Sequence, residues 1–205
     1  MKRYECLQAV AEEIGDALVI CTVGGAAAEW NSIRPNDGNF RCRTLGLVSS
    51  IAMGLALALP KRQIIAIDGD GALLMNACGL PTLAWQNPAN LICLVFDNGI
   101  YEASGLRPTA TRAGADLIEM AGGAGVKHAC WVSSVLGFKQ EFQNAMKRKT
   151  LSLIGAKVEA GMDYYKSWHK LPSFAYGEVE NAYRFMRYIE QTEKIRVVPL
   201  PGPRH

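Results

Sequence analysis

The sequence predicts an α/β fold, a doubly wound parallel sheet with helices on both faces. Residues 63–67 and 91–96 are almost entirely apolar, as expected for strands of a parallel sheet that is covered on both sides. Stretches with apolar residues at helical spacing alternate with such runs, which indicates successive strand–helix–strand units. The length of 205 residues is enough for one sizeable domain with an appendage.

Glycine and proline residues mark the predicted ends of the elements in the first half of the chain. Gly15 stops the first helix, Gly24 and Gly25 open the second, and Pro35 closes it. Gly54 and other small residues permit close packing of a buried third helix. The predicted elements are helices over residues 4–15, 26–33, 45–59 and 72–86, strands over 17–22, 63–67 and 91–96, and a loop over 36–43.

The second half continues this alternation as far as residue 158. Residues 98–113 lack periodicity and contain Gly, Pro and Thr, so they are predicted as a surface loop. The other predicted elements are helices over 115–123 and 135–148 and strands over 128–132 and 151–158.

The pattern changes after Glu159, which divides the chain into a domain over residues 1–159 and a C-terminal extension over 160–205. We expect residues 199–205 to be a mobile tail. The extension contains one predicted helix, whose packed face is Val179, Ala182, Tyr183, Met186 and Ile189.

Composition argues against several classes of function. The net charge is only +3 and basic residues are scattered, which disfavours nucleic acid as a partner; residues 147–149 are interpreted as a solvated helix end. Residues 45–60 form the longest apolar stretch, too short to span a bilayer, and no signal peptide opens the chain. The six cysteines are isolated from one another, which disfavours zinc or iron–sulfur ligation and predicts a reduced cytoplasmic environment.

Residues 69–99 carry the strongest functional signal. Gly69-Asp70-Gly71 follows one buried strand and Asp97-Asn98-Gly99 follows the next. Because parallel strands end at the same sheet edge, the Asp70 carboxylate and the Asn98 amide should lie close together, and such oxygen ligands suit Mg²⁺ carrying phosphate groups. Asp70 could instead cap the following helix, and Asn98 could simply form a turn with Gly99.

This pattern resembles the signature of thiamin-diphosphate-dependent enzymes: GDG, a spacer (here residues 72–96) and an Asn pair, with Asp97-Asn98 at the pair. The resemblance covers about residues 15–158 and implies the diphosphate-binding domain of that family. Residues 45–51 and 104–109 are most similar to the β subunit of sulfopyruvate decarboxylase and the C-terminal part of phosphonopyruvate decarboxylase.

The resemblance implies a bound thiamin diphosphate with Mg²⁺, and it assigns ligands. Asp70 and Asn98 would bind the metal through their side chains and Ile100 through its carbonyl, whereas Asp97 would not be a ligand. Gly69 belongs to the same motif. Backbone N–H groups of Gly71, Ala72 and Leu73 would hold the diphosphate.

Two further segments receive roles from the resemblance. The turn Gly24-Gly25-Ala26 would approach the diphosphate through its backbone, since it lacks the polar side chains found in many relatives. Leu45 would be the apolar wedge that bends the cofactor, and the carbonyl of Arg43 would accept a hydrogen bond from its aminopyrimidine.

The family activates its cofactor with a glutamate on a separate pyrimidine-binding domain, which we do not find in this chain. Glu12, Glu13 and Glu29 qualify by residue type alone, and Glu29 is interpreted as an exposed helix charge. The resemblance therefore implies a pyrimidine-domain (α-type) partner subunit, or a homo-oligomer, that completes a decarboxylase for an anionic 2-oxo acid.

Several residues are weighed more evenly between functional and structural roles. Arg107 and Arg112 could face an anionic substrate group or could be solvated loop charges. Tyr101 and Glu102 could line the pocket. His128 and His169 are interpreted as structural or packing residues.

Two other functions remain open at this point. One is a β-type subunit of another thiamin-diphosphate enzyme, a 2-oxo-acid oxidoreductase or a carboligase; the isolated cysteines disfavour the oxidoreductase because those proteins usually carry an iron–sulfur cluster. The other is a non-catalytic cofactor-binding module. A nicotinamide-binding domain is weaker still, because no G-x-G-x-x-G pattern follows the first strand.

Overall fold

The computed structural model describes residues 1–161 and 176–197. Within these residues, six strands form a parallel sheet, and two short strands form a separate antiparallel pair. The strands of the sheet are β1 (Leu18–Thr22), β2 (Asn39–Cys42), β3 (Ile64–Gly69), β4 (Leu91–Asp97), β7 (Ala129–Val132) and β8 (Ser152–Lys157), and the pair is β5 (Ile100–Tyr101) with β6 (Arg107–Pro108).

The strand order in the sheet is β2-β1-β3-β4-β8-β7, with neighbouring strands parallel. The chain moves from β1 to β2 in one direction, and β3 then lies on the opposite side of β1. Ligands of open α/β sheets bind in the crevice that such a reversal opens at the carboxyl ends of the strands. The fold therefore places a crevice between the ends of β1 and β3.

Helices cover both faces of this sheet, as predicted. On one face, Leu18 and Ile20 pack with the helices over residues 48–58, 79–86, 117–123 and 178–193, and on the other face Val19 and Cys21 pack with those over 3–10, 25–33 and 135–148. Alternate residues of β1 thus enter opposite cores. The helices are α1 (Arg3–Val10), α2 (Gly25–Ile33), α3 (Val48–Ala58), α4 (Asp70–Leu74), α5 (Gly79–Gln86), α6 (Leu117–Gly123), α7 (Val135–Arg148) and α8 (Glu178–Glu193).

Three local predictions differ from the structure. The predicted loop 36–43 contains the edge strand β2, whose short polar sequence gives little strand signal. The predicted helix 72–86 is two helices, because residues 75–78 form turns between α4 and α5. Gly54 faces solvent rather than a packed neighbour, and a Cβ there would meet nothing within 4 Å.

The C-terminal helix packs through a face that only partly matches the predicted one: Ile189 is buried, and Ala182 and Met186 are half-buried. Its buried residues are Asn181, Phe185 and Ile189, whereas Val179 is 71% exposed and Tyr183 is 50% exposed. Asn181 defines this face because its side chain bonds to strand β2, which an apolar pattern does not reveal.

The predicted mobile tail and His169 lie outside the described residues. Among the residues that are described, no helix is both long and apolar enough to cross a bilayer.

Candidate functional site: a pocket at the strand ends

A pocket of about 110 Å³ lies at the carboxyl ends of β1, β3 and β4. The structure brings together there most of the residues that the sequence singled out, from four separate segments. Those that line the pocket are Gly24, Gly25, Ala26, Leu45, Gly69, Asp70, Gly71, Ala72, Asn98 and Ile100.

Two of the predicted cofactor residues do not line the pocket. Leu73 is buried, at 2% exposure, and packs into the core beneath α4. Arg43 is exposed, and its side chain forms an ion pair with Glu178 at 2.6 Å. The side chains of these two residues thus serve packing and the surface, and the roles given to their backbones stay predictions.

Asp70 is the first residue of α4 and does not cap that helix. The N-cap position is Gly69, and no side chain caps the helix. The Asp70 carboxylate instead accepts two hydroxyl hydrogen bonds through Oδ2, from Thr109 at 2.5 Å and from Thr111 at 3.0 Å. Its position on the pocket wall therefore needs another explanation than helix capping.

Asn98 forms the turn that its sequence suggests and also lines the pocket. Its Oδ1 accepts the N–H of Ile100 at 3.0 Å, and its Nδ2 donates to Glu102 Oε1 at 2.8 Å. The next residue, Gly99, has φ +73°, a conformation that glycine adopts without strain. Forming the turn is therefore compatible with a place for Asn98 on the pocket wall.

Asp97 is buried beside this site. Its Oδ1 accepts the N–H of Gly99 at 3.0 Å and lies 2.8 Å from the Thr111 hydroxyl oxygen, and its Oδ2 pairs with the Lys157 ammonium. Asp97 itself does not line the pocket.

The donor set at the pocket suits a hard divalent cation. Asp70 offers a carboxylate, Asn98 an amide oxygen and Ile100 a backbone carbonyl, the oxygen types that Mg²⁺ prefers. No group of three or more His, Cys, Asp or Glu that could hold a metal occurs among the described residues. A metal here would therefore depend on this mixed set of oxygens together with oxygens of a ligand.

Glycines leave room in the pocket wall for other groups. The Tyr101 ring lies against Gly71, so that a Cβ at Gly71 would overlap it, and a Cβ at Gly25 would overlap the Arg3 guanidinium. A side chain at Gly71 would therefore displace an aromatic ring, and one at Gly25 would displace the end of the Arg3 side chain.

Arg3 lies on the pocket wall beside Glu102, a position that the sequence did not predict for it. Arg3 Nε donates to Glu29 Oε2 at 2.6 Å, and Arg3 Nη2 lies 3.6 Å from Glu102 Oε2. Glu29 is only 3% exposed, so its interpretation as an exposed helix charge is wrong. Burial raises the pKa of Glu29, and the positive charge of Arg3 opposes that rise.

Arg3 was missed because its partners are distant in sequence. Residue 3 meets residues 29 and 102 only through the packing of α1 against α2 and the loop after β5. The available sequence signal would have been a charged residue on an otherwise apolar helix face. The first helix does not give this signal, because its apolar residues are only weakly periodic.

Two acidic groups near the pocket have raised pKa values. Burial raises the pKa of Asp68 to about 7, and the N–H of Gly69 partly opposes this by bonding to its Oδ1 at 2.9 Å. Burial also raises the pKa of Asp70, while the Thr109 hydroxyl acts in the opposite direction. Desolvation thus dominates at this sheet edge.

Only some of the remaining candidate residues lie at the pocket. Tyr101 and Glu102 line the pocket, whereas Arg107 and Arg112 are exposed and outside its wall. Glu12 is exposed, and Glu13, in the turn after α1, accepts a hydrogen bond from Gln143 Nε2 at 2.8 Å. His128 is also exposed, just before β7.

The parallel sheet and the pocket with oxygen donors at its switch point define an α/β cofactor-binding domain. The chain matches the family "Thiamine pyrophosphate enzyme, C-terminal TPP binding domain" over residues 25–156. Benzoylformate decarboxylase of Polynucleobacter necessarius has the same fold, with a TM-score of 0.67 at 20% identity over 78% of this chain and 33% of that one.

More similar relatives narrow the comparison. The chain is 31% identical to sulfopyruvate decarboxylase subunit beta of Methanocaldococcus jannaschii, over 93% of this chain and 98% of the relative. It is 34% identical to phosphonopyruvate decarboxylase of Streptomyces viridochromogenes, over 59% of this chain and 31% of that longer protein. The chain therefore belongs to the thiamine pyrophosphate enzyme family, as the resemblance of its motifs predicted.

Proposed function

We propose that this chain is the thiamin-diphosphate-binding subunit of a 2-oxo-acid decarboxylase of the sulfopyruvate or phosphonopyruvate type. The observation that carries the proposal is the convergence of Asp70, Asn98 and Ile100 on one pocket at the switch point of the sheet. Similarity to a sulfopyruvate decarboxylase β subunit over nearly the full length of both chains supports the substrate class. The substrate would be an anionic 2-oxo acid.

Mg²⁺ is proposed to bind Asp70, Asn98 and the carbonyl of Ile100. The diphosphate of the cofactor would lie against the backbone of Gly24–Ala26 and Gly69–Leu73, whose N–H groups would donate hydrogen bonds to it. Leu45 lies on the same wall and would support the bend of the cofactor. When bound, thiamin diphosphate supplies the electron sink for the loss of CO₂ from a 2-oxo acid.

The activating glutamate is proposed to come from a pyrimidine-domain partner or from another copy of the chain. Glu102 lines the pocket, but its carboxylate is engaged by Asn98 Nδ2 and Arg3 at the metal end. Glu29 is held by Arg3 behind that wall. Because both carboxylates are engaged, neither Glu102 nor Glu29 is available for the aminopyrimidine. The active site would therefore form in an oligomer, which we place in the cytoplasm.

Calorimetric titration tests the cofactor site. Thiamin diphosphate is titrated into the chain with and without Mg²⁺, for the wild type, Asp70→Ala and an exposed control, Glu12→Ala. We expect Mg²⁺-dependent binding that Asp70→Ala abolishes and Glu12→Ala retains. Unchanged binding by Asp70→Ala would contradict the proposed metal ligand.

Reconstitution tests the catalytic part. The chain is mixed with a candidate pyrimidine-domain subunit, and CO₂ release from sulfopyruvate and phosphonopyruvate is measured. We expect decarboxylation only in the mixture. Efficient turnover by the chain alone would refute the requirement for a partner, and cofactor binding without turnover in any mixture would favour a non-catalytic module.

An oxidoreductase β subunit is less well supported. 2-oxoglutarate:ferredoxin oxidoreductase of Magnetococcus marinus shares the fold, with a TM-score of 0.66, but at 14% identity this likeness concerns the fold alone. All six cysteines are free and separate, four of them buried, so they do not form a cluster site.

A further inference from the structure

We infer that Thr109 and Thr111 are positioning residues that hold the Asp70 carboxylate in the orientation required for metal binding. This inference rests on the proposed function, since it deepens the role of Asp70 there. The observation behind it is a buried hydrogen-bond network in which both threonine hydroxyls meet Asp70 Oδ2.

The antiparallel pair of β5 and β6 brings the chain back beside the turn at Asn98 and Gly99. Ile100 in β5 pairs with Pro108 in β6, and the N–H of Thr109 donates to the carbonyl of Gly99 at 3.0 Å. Thr109 and Thr111 thereby lie behind the turn that carries Asn98, and they are only 3% and 9% exposed. A segment predicted as surface loop thus supplies buried groups to the site.

The network is arranged so that Asp70 has little freedom to rotate. Thr109 Oγ1 donates to Asp70 Oδ2 at 2.5 Å, and Thr111 Oγ1 lies 3.0 Å from the same oxygen and 2.8 Å from Thr109 Oγ1. Both hydroxyls contact Oδ2, so Oδ1 is the oxygen that they leave for a cation. Hydrogen bonds of this kind orient metal ligands and contribute strongly to metal affinity.

Each hydroxyl has one proton to donate, so the two threonines have different roles. Thr111 Oγ1 also lies 2.8 Å from Asp97 Oδ1, so it can donate to only one of the two carboxylates at a time. Asp97 is further paired with Lys157. We therefore assign Thr109 as the constant hydrogen-bond donor to Asp70. Thr111 lies between the carboxylates of Asp70 and Asp97 and fixes their relative positions.

Valine and serine separate the hydroxyl from the shape of threonine. Thr109→Val keeps the volume and removes the donor, whereas Thr109→Ser keeps the donor. Thr82→Val serves as the matched control, because Thr82 is an exposed residue of α5 outside the pocket wall. Circular dichroism and thermal unfolding without Mg²⁺ report whether each variant is folded.

The experiment is calorimetric titration of thiamin diphosphate into the full chain at a series of Mg²⁺ concentrations. We expect Thr109→Val to raise the Mg²⁺ concentration for half-maximal binding about 10–100-fold, the usual effect of removing such a partner. Thr111→Val should raise it less, and Thr109→Ser and Thr82→Val should match the wild type. If Thr109→Val does not fold, the shift in Thr111→Val decides the question.

Two results would overturn the inference and can be told apart from failure of the proposed function. If Asp70→Ala loses Mg²⁺-dependent binding while folded Thr109→Val and Thr111→Val keep the wild-type Mg²⁺ requirement, the threonines have no positioning role. If Asp70→Ala itself keeps that requirement, the proposed metal site fails, and the inference falls with it.

Discussion

Arg3 and Glu29 form a buried ion pair that ties the first helix of the chain to the second, with Arg3 Nε donating to Glu29 Oε2 at 2.6 Å. The same guanidinium faces Glu102 on the pocket wall at 3.6 Å. One cation thus serves two carboxylates, of which Glu29 is almost fully buried. Because a buried charge is expensive without a partner, this pair matters most when one member is removed.

Arg3→Met should destabilise the chain strongly, because Glu29 would remain buried without its counter-charge. We expect the free energy of unfolding, measured with urea, to fall by about 3–5 kcal/mol. Arg187→Met is the control, since Arg187 forms only a long ion pair at 3.8 Å on the surface. The double variant Arg3→Met/Glu29→Leu should recover part of the loss. A loss no larger in Arg3→Met than in Arg187→Met would contradict the prediction.

Asp116 should stabilise helix α6 in a pH-dependent way. Its Oδ1 accepts the N–H groups of Ile118 at 2.8 Å and Glu119 at 3.0 Å, as an N-cap, and the indole N–H of Trp131 at 2.9 Å. These bonds, that of Glu119 foremost, hold the pKa of Asp116 below its ordinary value of 3.8. A lowered pKa contributes stability that is present above the unfolded value and is lost as pH falls through the folded value.

The measurement is urea unfolding of wild type and Asp116→Ala at pH 7, 5 and 3. At pH 7 and 5, Asp116→Ala should be less stable by about 1 kcal/mol, the usual effect of losing a cap. The difference should shrink at pH 3, below the ordinary value. Glu12→Ala, at an exposed position, should match the wild type at pH 7. A difference that stays constant or grows towards pH 3 would rule out the ionised cap.

Gly155 in β8 should not tolerate a side chain. A Cβ there would lie 2.6 Å from Trp131 Cε3 and 3.0 Å from Ile118 Cδ1. The Trp131 ring cannot move easily, because its N–H bonds to Asp116 and the Lys157 ammonium lies 4.3 Å from its centre. Gly155→Ala should therefore lower the free energy of unfolding by about 1–3 kcal/mol.

Gly54→Ala is the control for Gly155→Ala, and we expect it to change stability in the opposite direction. Gly54 lies within helix α3, and a Cβ there would meet nothing within 4 Å. Alanine should stabilise the chain by about 0.5–1 kcal/mol, because it lowers the entropy cost of forming the helix. Thermal and urea unfolding of both variants check the pair. Equal effects of the two substitutions would show that packing at Trp131 is not the cause.

Asn181 should protect the edge strand β2. Its Oδ1 accepts the N–H of Arg41 at 2.8 Å, and its Nδ2 donates to the carbonyl of Asn39 at 3.0 Å. Asn181→Ala leaves these buried backbone groups without the side chain, at a cost of about 1–3 kcal/mol. Val179→Ala, at a residue that is 71% exposed, should change stability little.

Hydrogen exchange provides the specific readout for Asn181. The amide of Arg41 should exchange faster in Asn181→Ala than in the wild type, since its acceptor is removed. Unchanged exchange at Arg41 would show that α8 does not protect this strand.

Prediction from sequence worked best where the signal is local. The apolar run before Asp68 and the run before Asp97 predicted adjacent parallel strands, and β3 pairs with β4 so that Gly69 lies opposite Phe96. The predicted helix 135–148 has the observed bounds of α7, because Ser134 caps it and Lys149 ends it with φ +55°. These features depend on turn chemistry and periodicity within a few residues.

Prediction failed where a residue depends on a distant partner. Glu29 and Arg3 are 26 residues apart, and Asn181 meets Arg41 across 140 residues. Asp70 meets Thr109 across 39 residues, so its helix-capping alternative could not be rejected from local sequence. In each case a polar residue has a good local interpretation, and only packing reveals its actual partner.

The sequence by itself determined the sheet class, the two polar strand ends and the family of this protein, because alternating apolar periods and glycine-flanked motifs are written in consecutive residues. The tertiary structure alone decided that Arg3 lies on the pocket wall, that Thr109 and Thr111 hold Asp70, and that Asn181 covers the sheet edge. The physical reason is that burial makes every polar group require a partner, and the partner is chosen by which elements pack together.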